Sequence, residues 1–337
     1  MDKVATLTAK ARGELFALAA DQMRFHPVNV EKDFWVCWLL KQLFTMPELS
    51  GWLVFKGGTS LAKCFNLIQR FSEDIDLAVD FEKLGFTGGN DPRQEQMSHS
   101  KRDALLRKML AACQDYIAGP FLMALQDRIA RVLGPDGWTL QVSVSDANTV
   151  EFTYPASLEA RLEYVRPHVV LELGTHAEPI PHEDFPIRPF AAEHYPDVFR
   201  EPACPVTTVV ARRTFWEKAT ILHAEYHRPA EKPLLPRYSR HYADVAVMSK
   251  ADVRDEALGD TDLLHRVCIH KDQFYHCGWA KYLEARRGTF RLLPRDERLS
   301  DLRRDYQSMQ VMFFGEALTF DEVLGCLADL ERQINRS

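Results

Sequence analysis

No stretch of this 337-residue chain stays apolar long enough to cross a bilayer as a helix, which takes about 20 residues. The opening residues, MDKVATLTAKARGEL, are charged and lack the apolar core of a secretory signal. The seven cysteines, at 37, 64, 113, 204, 268, 277 and 326, are odd in number and include no Cys-x-x-Cys pair. Such scatter argues against a disulfide framework and for reduced thiols, and the expected location is cytoplasmic. There is no internal repeat and no low-complexity tract. Nor is there an excess of positive charge: the net charge is −6, so contact with nucleic acid would have to come from a local basic patch.

What is present reads as a globular chain with a real core, long enough for one large or two ordinary domains. Residues 5–24 follow an amphipathic helical pattern. NVEKDFWVCWLLKQLF, 29–44, is a second helix, with Asn29 as the expected N-cap. WLVF at 52–55 is a short strand that ends at Gly57-Gly58, and SLAKCFNLIQ then reads as a helix. DIDLAVD, 74–80, alternates charged and apolar residues as a half-buried strand does. Residues 85–98 form a loop, 100–133 are mostly helical, and 138–144, 150–155 and 168–174 are further strands. Seven prolines crowd 178–206, a density that stops helices and central strands, so 179–206 is expected to connect two halves. After it, 212–228, 239–250, 259–284 and 320–334 are helical. The expected fold class is therefore α+β: a small mixed sheet flanked by helices over 1–178, then a mainly helical domain over 207–337.

Two carboxylates in an apolar strand need a reason. Asp74 and Asp76 are two positions apart, so they point to one face with Cα atoms roughly 7 Å apart. That spacing suits hard cations such as Mg²⁺, commonly held by one or two carboxylates plus substrate phosphates. Upstream, Gly57 and Gly58 let a backbone turn approach a phosphate, and Thr59 and Ser60 add hydroxyls at a helix start. Ser72 can point the same way as the two acids. Turn and acids together form a constellation for phosphate and metal; the plain alternative is a pair of acids on a solvated edge strand.

The run from GGTSLAK to RFSEDIDL resembles the signature of the AbiEii/AbiGii-type toxin nucleotidyltransferases, within the polymerase-beta-like nucleotidyltransferase superfamily. VEKDFWVCWLL, TFWEKATILHAEYHR, SRHYADVAVM, HKDQFYHCGWAKY and LRRDYQSMQVMFFGEALTFDEVL resemble further family segments. The likeness runs from about residue 29 onward and is weakest over 85–165. It implies that Ser72 and Asp74 touch triphosphate and metal, that Asp76 is the second metal carboxylate, and that Lys218 holds nucleotide phosphate. Asp244 is implied as a further site acid, either ordering Lys218 or activating the attacking hydroxyl. A third carboxylate on a neighbouring strand is regular in such sites, which makes Glu172 a candidate metal ligand; its alternative is a solvent-facing strand residue. The implied reaction moves a nucleoside monophosphate from an NTP to an acceptor with Mg²⁺ (or Mn²⁺), releasing pyrophosphate. In some members the acceptor is the 3′ end of tRNA, and many pair with an antitoxin. The protein is thus expected to be the toxin of a toxin–antitoxin or phage-defence system that binds NTP and RNA and no membrane. The rival readings are a transferase of the same fold with a protein or small-molecule acceptor, and a non-catalytic nucleotide- or RNA-binding module.

Several residues have bland rivals. Without the resemblance, Lys218 is a lysine snorkelling from a core edge, and Asp244 a partner of Arg240 one turn earlier. His223 and His227 lie at zinc-binding spacing but lack a third ligand, and CIHKDQFYHC, 268–277, fits no common zinc pattern. His270, Lys271, Phe274 and Tyr275 match the family segment and are candidates to face the acceptor or the base. Residues 281–304 carry eight basic side chains against four acids, with Tyr282 and Phe290 interleaved to stack bases. Arg128, Arg131, Arg161 and Arg166 could extend that strip. A solvated surface is its ordinary reading.

Overall fold

The computed structural model describes residues 1–70, 74–158, 167–313 and 317–336. They form two units. The first takes the described residues of 1–64, 72–91 and 103–209; the second takes those of 65–71, 92–102 and 210–337.

The first unit is built on one helix and one sheet. After α1 (Asp2–Ala5) and α2 (Ala9–Met23) comes α3 (Pro27–Phe44), whose first turn is set by Pro27 and capped by His26 Nδ1 accepting from Val28 N at 3.4 Å. Asn29, the expected cap, lies inside that helix. Phe34, Trp35, Trp38, Leu39 and Leu40 are wholly buried. Yet α3 is not amphipathic, because Glu31, Asp33, Lys41 and Gln42 are buried as well. Buried polar groups persist only when bonded. Lys63 reaches Asp33 at 2.6 Å, and Phe190 N donates to the other Asp33 oxygen at 2.7 Å. Lys41 pairs with Asp2 at 2.8 Å and Glu201 at 3.0 Å, while Ser157 and Leu158 donate to Glu31.

The sheet has seven strands: β1 (Leu53–Lys56), β2 (Asp74–Val79), β3 (Thr139–Val142), β4 (Thr149–Thr153), β5 (His168–Gly174), β6 (His182–Ile187) and β7 (Cys204–Val209), in the order β3-β4-β5-β2-β1-β7-β6. β2–β5 and β1–β7 are parallel and the other pairs antiparallel. The helices α4 (Gly57–Lys63), α5 (His99–Tyr116), α6 (Leu122–Leu133) and α7 (Phe190–His194) fall between strands in the chain, and the start of α5 belongs to the second unit. The five strands expected from sequence are present. The proline-rich 179–206 is more than a connection: it supplies β6, α7 and the start of β7. Prolines are tolerated here because β6 is an edge strand and Pro186 lies opposite Pro205. β1 is registered with β7 only at Phe55 and Thr208, beyond both prolines, so no central ladder bond is lost to them.

The second unit is helical: α8 (Ala211–His227), α9 (Ser239–Met248), α10 (Val253–Gly259), α11 (Thr261–Phe274), α12 (Leu299–Ser308) and α13 (Phe320–Arg336). Trp216 anchors it, almost wholly buried, with Nε1 donating to Ala257 O at 3.1 Å. The α+β class and the helical second part expected from sequence are the ones observed, with a sheet larger than expected.

Candidate active site

In β2 the period of two separates core from site. Ile75 and Leu77 are fully buried, while Asp74 and Asp76 share the partly exposed face. Across the sheet Asp76 stands opposite Lys56 of β1 and Glu172 of β5. Residues in register point to one face, so a lysine and two acids form a row, with Asp74 one step along. Lys56 Nζ lies 3.9 Å from Asp76 Oδ1. The Glu172 carboxyl is pushed up to about 7, first by loss of hydration against the sheet and then by Asp76 and Asp74, with Lys56 acting the other way. Three acids thus share one face of the sheet.

The turn after β1 is pressed against these acids. Gly57 has φ +82°, and a Cβ there would sit 1.9 Å from Asp76 Oδ2, so only glycine fits. Helix α4 begins at Gly57 itself, earlier than expected, and no side chain caps its first turn. Thr59 and Ser60 are buried, with hydroxyls engaged inside the protein: Thr59 Oγ1 donates to Asp74 O at 2.5 Å and Ser60 Oγ to Gly57 O at 2.9 Å. They brace the turn and β2, and Gly58 is buried beside them. Ser72 lies outside the described residues.

The helical unit holds the other expected residues. Asp244 on α9 is 1% exposed and Lys218 on α8 is 7% exposed; Lys218 Nζ is 2.8 Å from Asp244 Oδ2. Arg70 also grips Asp244, with Nε to Oδ1 at 2.8 Å and a second nitrogen to Oδ2 at 2.9 Å. Burial alone would push the Asp244 carboxyl up; Arg70 and then Lys218 overcome it and hold it well below the usual carboxylate range. The partner suggested by helical spacing, Arg240, is replaced by two cations from elsewhere in the chain. Arg70 and Lys56 were not assigned roles from sequence, although Arg70 opens the RFSEDIDL run and Lys56 precedes GGTS.

The constellations weighed against metal binding are structural. Arg291 N donates to His223 Nδ1 at 3.1 Å and Nε2 faces Lys281 O at 3.1 Å, leaving no ring nitrogen for zinc; burial lowers this imidazole to about 4. In the 268–277 segment Cys268, His270 and Phe274 are buried, whereas Tyr275 is exposed. In the basic strip Lys281, Arg291, Arg295, Arg303 and Arg304 pair with Glu284, Glu331, Glu297, Asp321 and Asp301. Arg298 is buried on the Pro229 and Lys232 carbonyls, and Phe290 is fully buried, so neither is open to a base or a phosphate. Arg128 donates to Gln42 and Thr45, and Arg161 and Arg166 lie outside the described residues.

Among the described residues no group of three or more His, Cys, Asp or Glu side chains is placed to hold a metal ion. A cation shared with substrate phosphates needs only one or two carboxylates. The donors Asp74 and Asp76 are hard oxygens on one partly exposed strand face, of the kind such a cation takes. The residues fit such a cation.

Among solved structures, the chain is similar to MenT4, a nucleotidyltransferase toxin from Mycobacterium tuberculosis H37Rv, with 18% identity over 95% of this chain and 97% of that one. The TM-score is 0.40, a likeness that says nothing about individual residues. Comparison with curated proteins gives no match. The family described as nucleotidyl transferase AbiEii toxin, type IV TA system, matches residues 38–326, a span that takes in Gly57, Asp74, Asp76, Glu172, Lys218 and Asp244, and the chain belongs to that family.

Proposed function

We propose that this nucleotidyltransferase transfers a nucleoside monophosphate from an NTP to the 3′ end of tRNA in a Mg²⁺-dependent reaction, and that a cognate antitoxin restrains it. The observation that carries the reading is Asp74 and Asp76 side by side on one face of β2, with Gly57 pressed against Asp76. Asp74 and Asp76, with Glu172 beside them, would hold the cation, which neutralises phosphate charge when bound. The acceptor hydroxyl gives up its proton to solvent as its oxygen attacks the α-phosphorus; an oxygen–phosphorus bond forms, and the bond to the pyrophosphate oxygen breaks, releasing pyrophosphate. Such transfer depends chiefly on positioning and charge neutralisation.

The chain's own residues divide these tasks. Gly57 allows the backbone of the first α4 turn to lie against the acids, and its uncapped N–H groups suit a phosphate. Lys218 binds nucleotide phosphate. Of the two roles open to Asp244, ordering Lys218 is the better supported, because a carboxylate held so far below neutrality is a poor acceptor for a hydroxyl proton. Support for tRNA comes from the family resemblance; the strip at 281–304, in which Lys281, Arg291, Arg295, Arg303 and Arg304 are ion-paired, adds little to it.

The test is incubation with each of four α-labelled NTPs, Mg²⁺ and total cellular RNA on a denaturing gel, beside Asp74→Ala. Label on a tRNA-sized band from one or two NTPs, absent in the variant, is the expected result. Label on protein or on a small product would move the acceptor to another class. Transfer undiminished in Asp74→Ala would overturn the site.

A further inference from the structure

Helix α4 is seven residues long, roughly 10 Å, and it is held at both ends. At its first residue Gly57 stands against Asp76, and two residues on Thr59 bonds to the backbone of Asp74. At its last residue Lys63 is bonded to Asp33 of α3. This pair is deep, with side chains only 7% and 5% exposed. Asp33 accepts from Lys63 at 2.6 Å with one oxygen and from the N–H of Phe190, the first residue of α7, at 2.7 Å with the other. Lys63 Nζ also lies 3.8 Å from the centre of the Phe190 ring. One carboxylate thus sets α3, α4 and α7 against one another.

Stability is a weak reason for such a pair. Taking both charges out of water offsets much of their attraction, and apolar side chains of similar volume in their place are often neutral or stabilising. What apolar packing does not supply is direction. The bonds on Asp33 fix the end of α4 at hydrogen-bond distance, whereas methyl groups would let it slide. A short rigid helix carries a slip at Lys63 through to Gly57, where there is no slack: a Cβ there would already sit 1.9 Å from Asp76 Oδ2. We infer that Lys63 and Asp33 are positioning residues for the acid face of β2. The buried pair holds α4 so that the Gly57 turn and the carboxylates of Asp74 and Asp76 keep the spacing that one nucleotide must fit. This rests on the reading that these acids serve the transfer. Both side chains are buried and act through the turn, and a shift of about 1 Å in such a support can cost about a hundredfold.

The experiment compares three full-length chains: wild type, the double variant Asp33→Leu with Lys63→Met, and Asp74→Ala. Melting curves report folding, and calorimetric titration with ATP, CTP, GTP and UTP, each in Mg²⁺, reports binding. The double variant should melt at or above the wild-type temperature. It should bind the NTP that wild type prefers about ten- to a hundredfold more weakly. A pair that served stability alone would not lower affinity at an unchanged melting temperature. Where that variant does not fold, Asp33→Asn with Lys63→Met is measured with the same expectation; it keeps an acceptor for the Phe190 N–H and cuts only the tie to α4. If neither folds, the pair is structural and the inference falls. A folded variant that binds as tightly as wild type, while Asp74→Ala loses binding, overturns the inference and leaves the transferase site standing. A wild type that binds no NTP, or Asp74→Ala that binds like wild type, overturns the site and this inference with it.

Discussion

Asp244 in the helical unit is buried, and Arg70 and Lys218 hold both of its oxygens at 2.8–2.9 Å. Asp76 in the sheet unit is 26% exposed at its side chain, and Lys56 stands off at 3.9 Å. The first acid is neutralised twice over by the protein. The second lies beside Asp74 and opposite Glu172, whose carboxyl is pushed up to about 7 by burial first and by Asp76 and Asp74 after it. Asp244 is thus fully engaged within the protein while the β2 acids keep a partly exposed face, the arrangement expected if the proposed cation binds at β2 and Asp244 orders Lys218.

Exchanging each acid for alanine should separate these roles. Asp74→Ala is expected to cut labelled transfer at least about a hundredfold. Its melting temperature should hold or rise, because repulsion within the row is relieved; a large fall would make Asp74 structural. Asp244→Ala leaves Arg70 and Lys218 buried without their counter-charge and should cost about 3–5 kcal/mol in urea unfolding. An unchanged unfolding midpoint would mean the trio does not hold the helical unit together. Gly57→Ala should lower transfer and destabilise by about 1–2 kcal/mol, since the residue must keep a left-handed backbone while its Cβ meets Asp76.

The smallest effect concerns pH. The folded Glu172 carboxyl holds its proton up to about 7, against an ordinary value of 4.5. A raised carboxyl binds protons more tightly in the folded state, so its contribution to stability falls as pH rises from 4.5 to 7. Melting curves at pH 5 and pH 8 should show that slope in wild type and a flatter one in Glu172→Gln.

The acid row was legible because strand periodicity exposes it: alternation along DIDLAV separates Ile75 and Leu77 from the two aspartates. Gly57 was legible as a turn residue, though its close approach to Asp76 was not. Glu172 could be named as a strand carboxylate, but its place opposite Asp76 depends on a parallel pairing between strands distant in sequence. Arg70 was missed as a partner because 174 residues separate it from Asp244, and no local rule links them. The hydroxyls of Thr59 and Ser60 looked free for phosphate, yet backbone carbonyls take them once the turn packs on β2. β6 and the start of β7 were hidden by their prolines, whose cost depends on where each ladder ends.

The most direct test of the comparison is the thermal melt of wild type and Asp76→Asn across a Mg²⁺ titration. The account predicts a melting temperature that climbs with Mg²⁺ in wild type, by linkage of binding to folding, and stays nearly flat in Asp76→Asn. Equal climbs in both proteins would contradict it, because the cation would then bind somewhere other than the acids of β2.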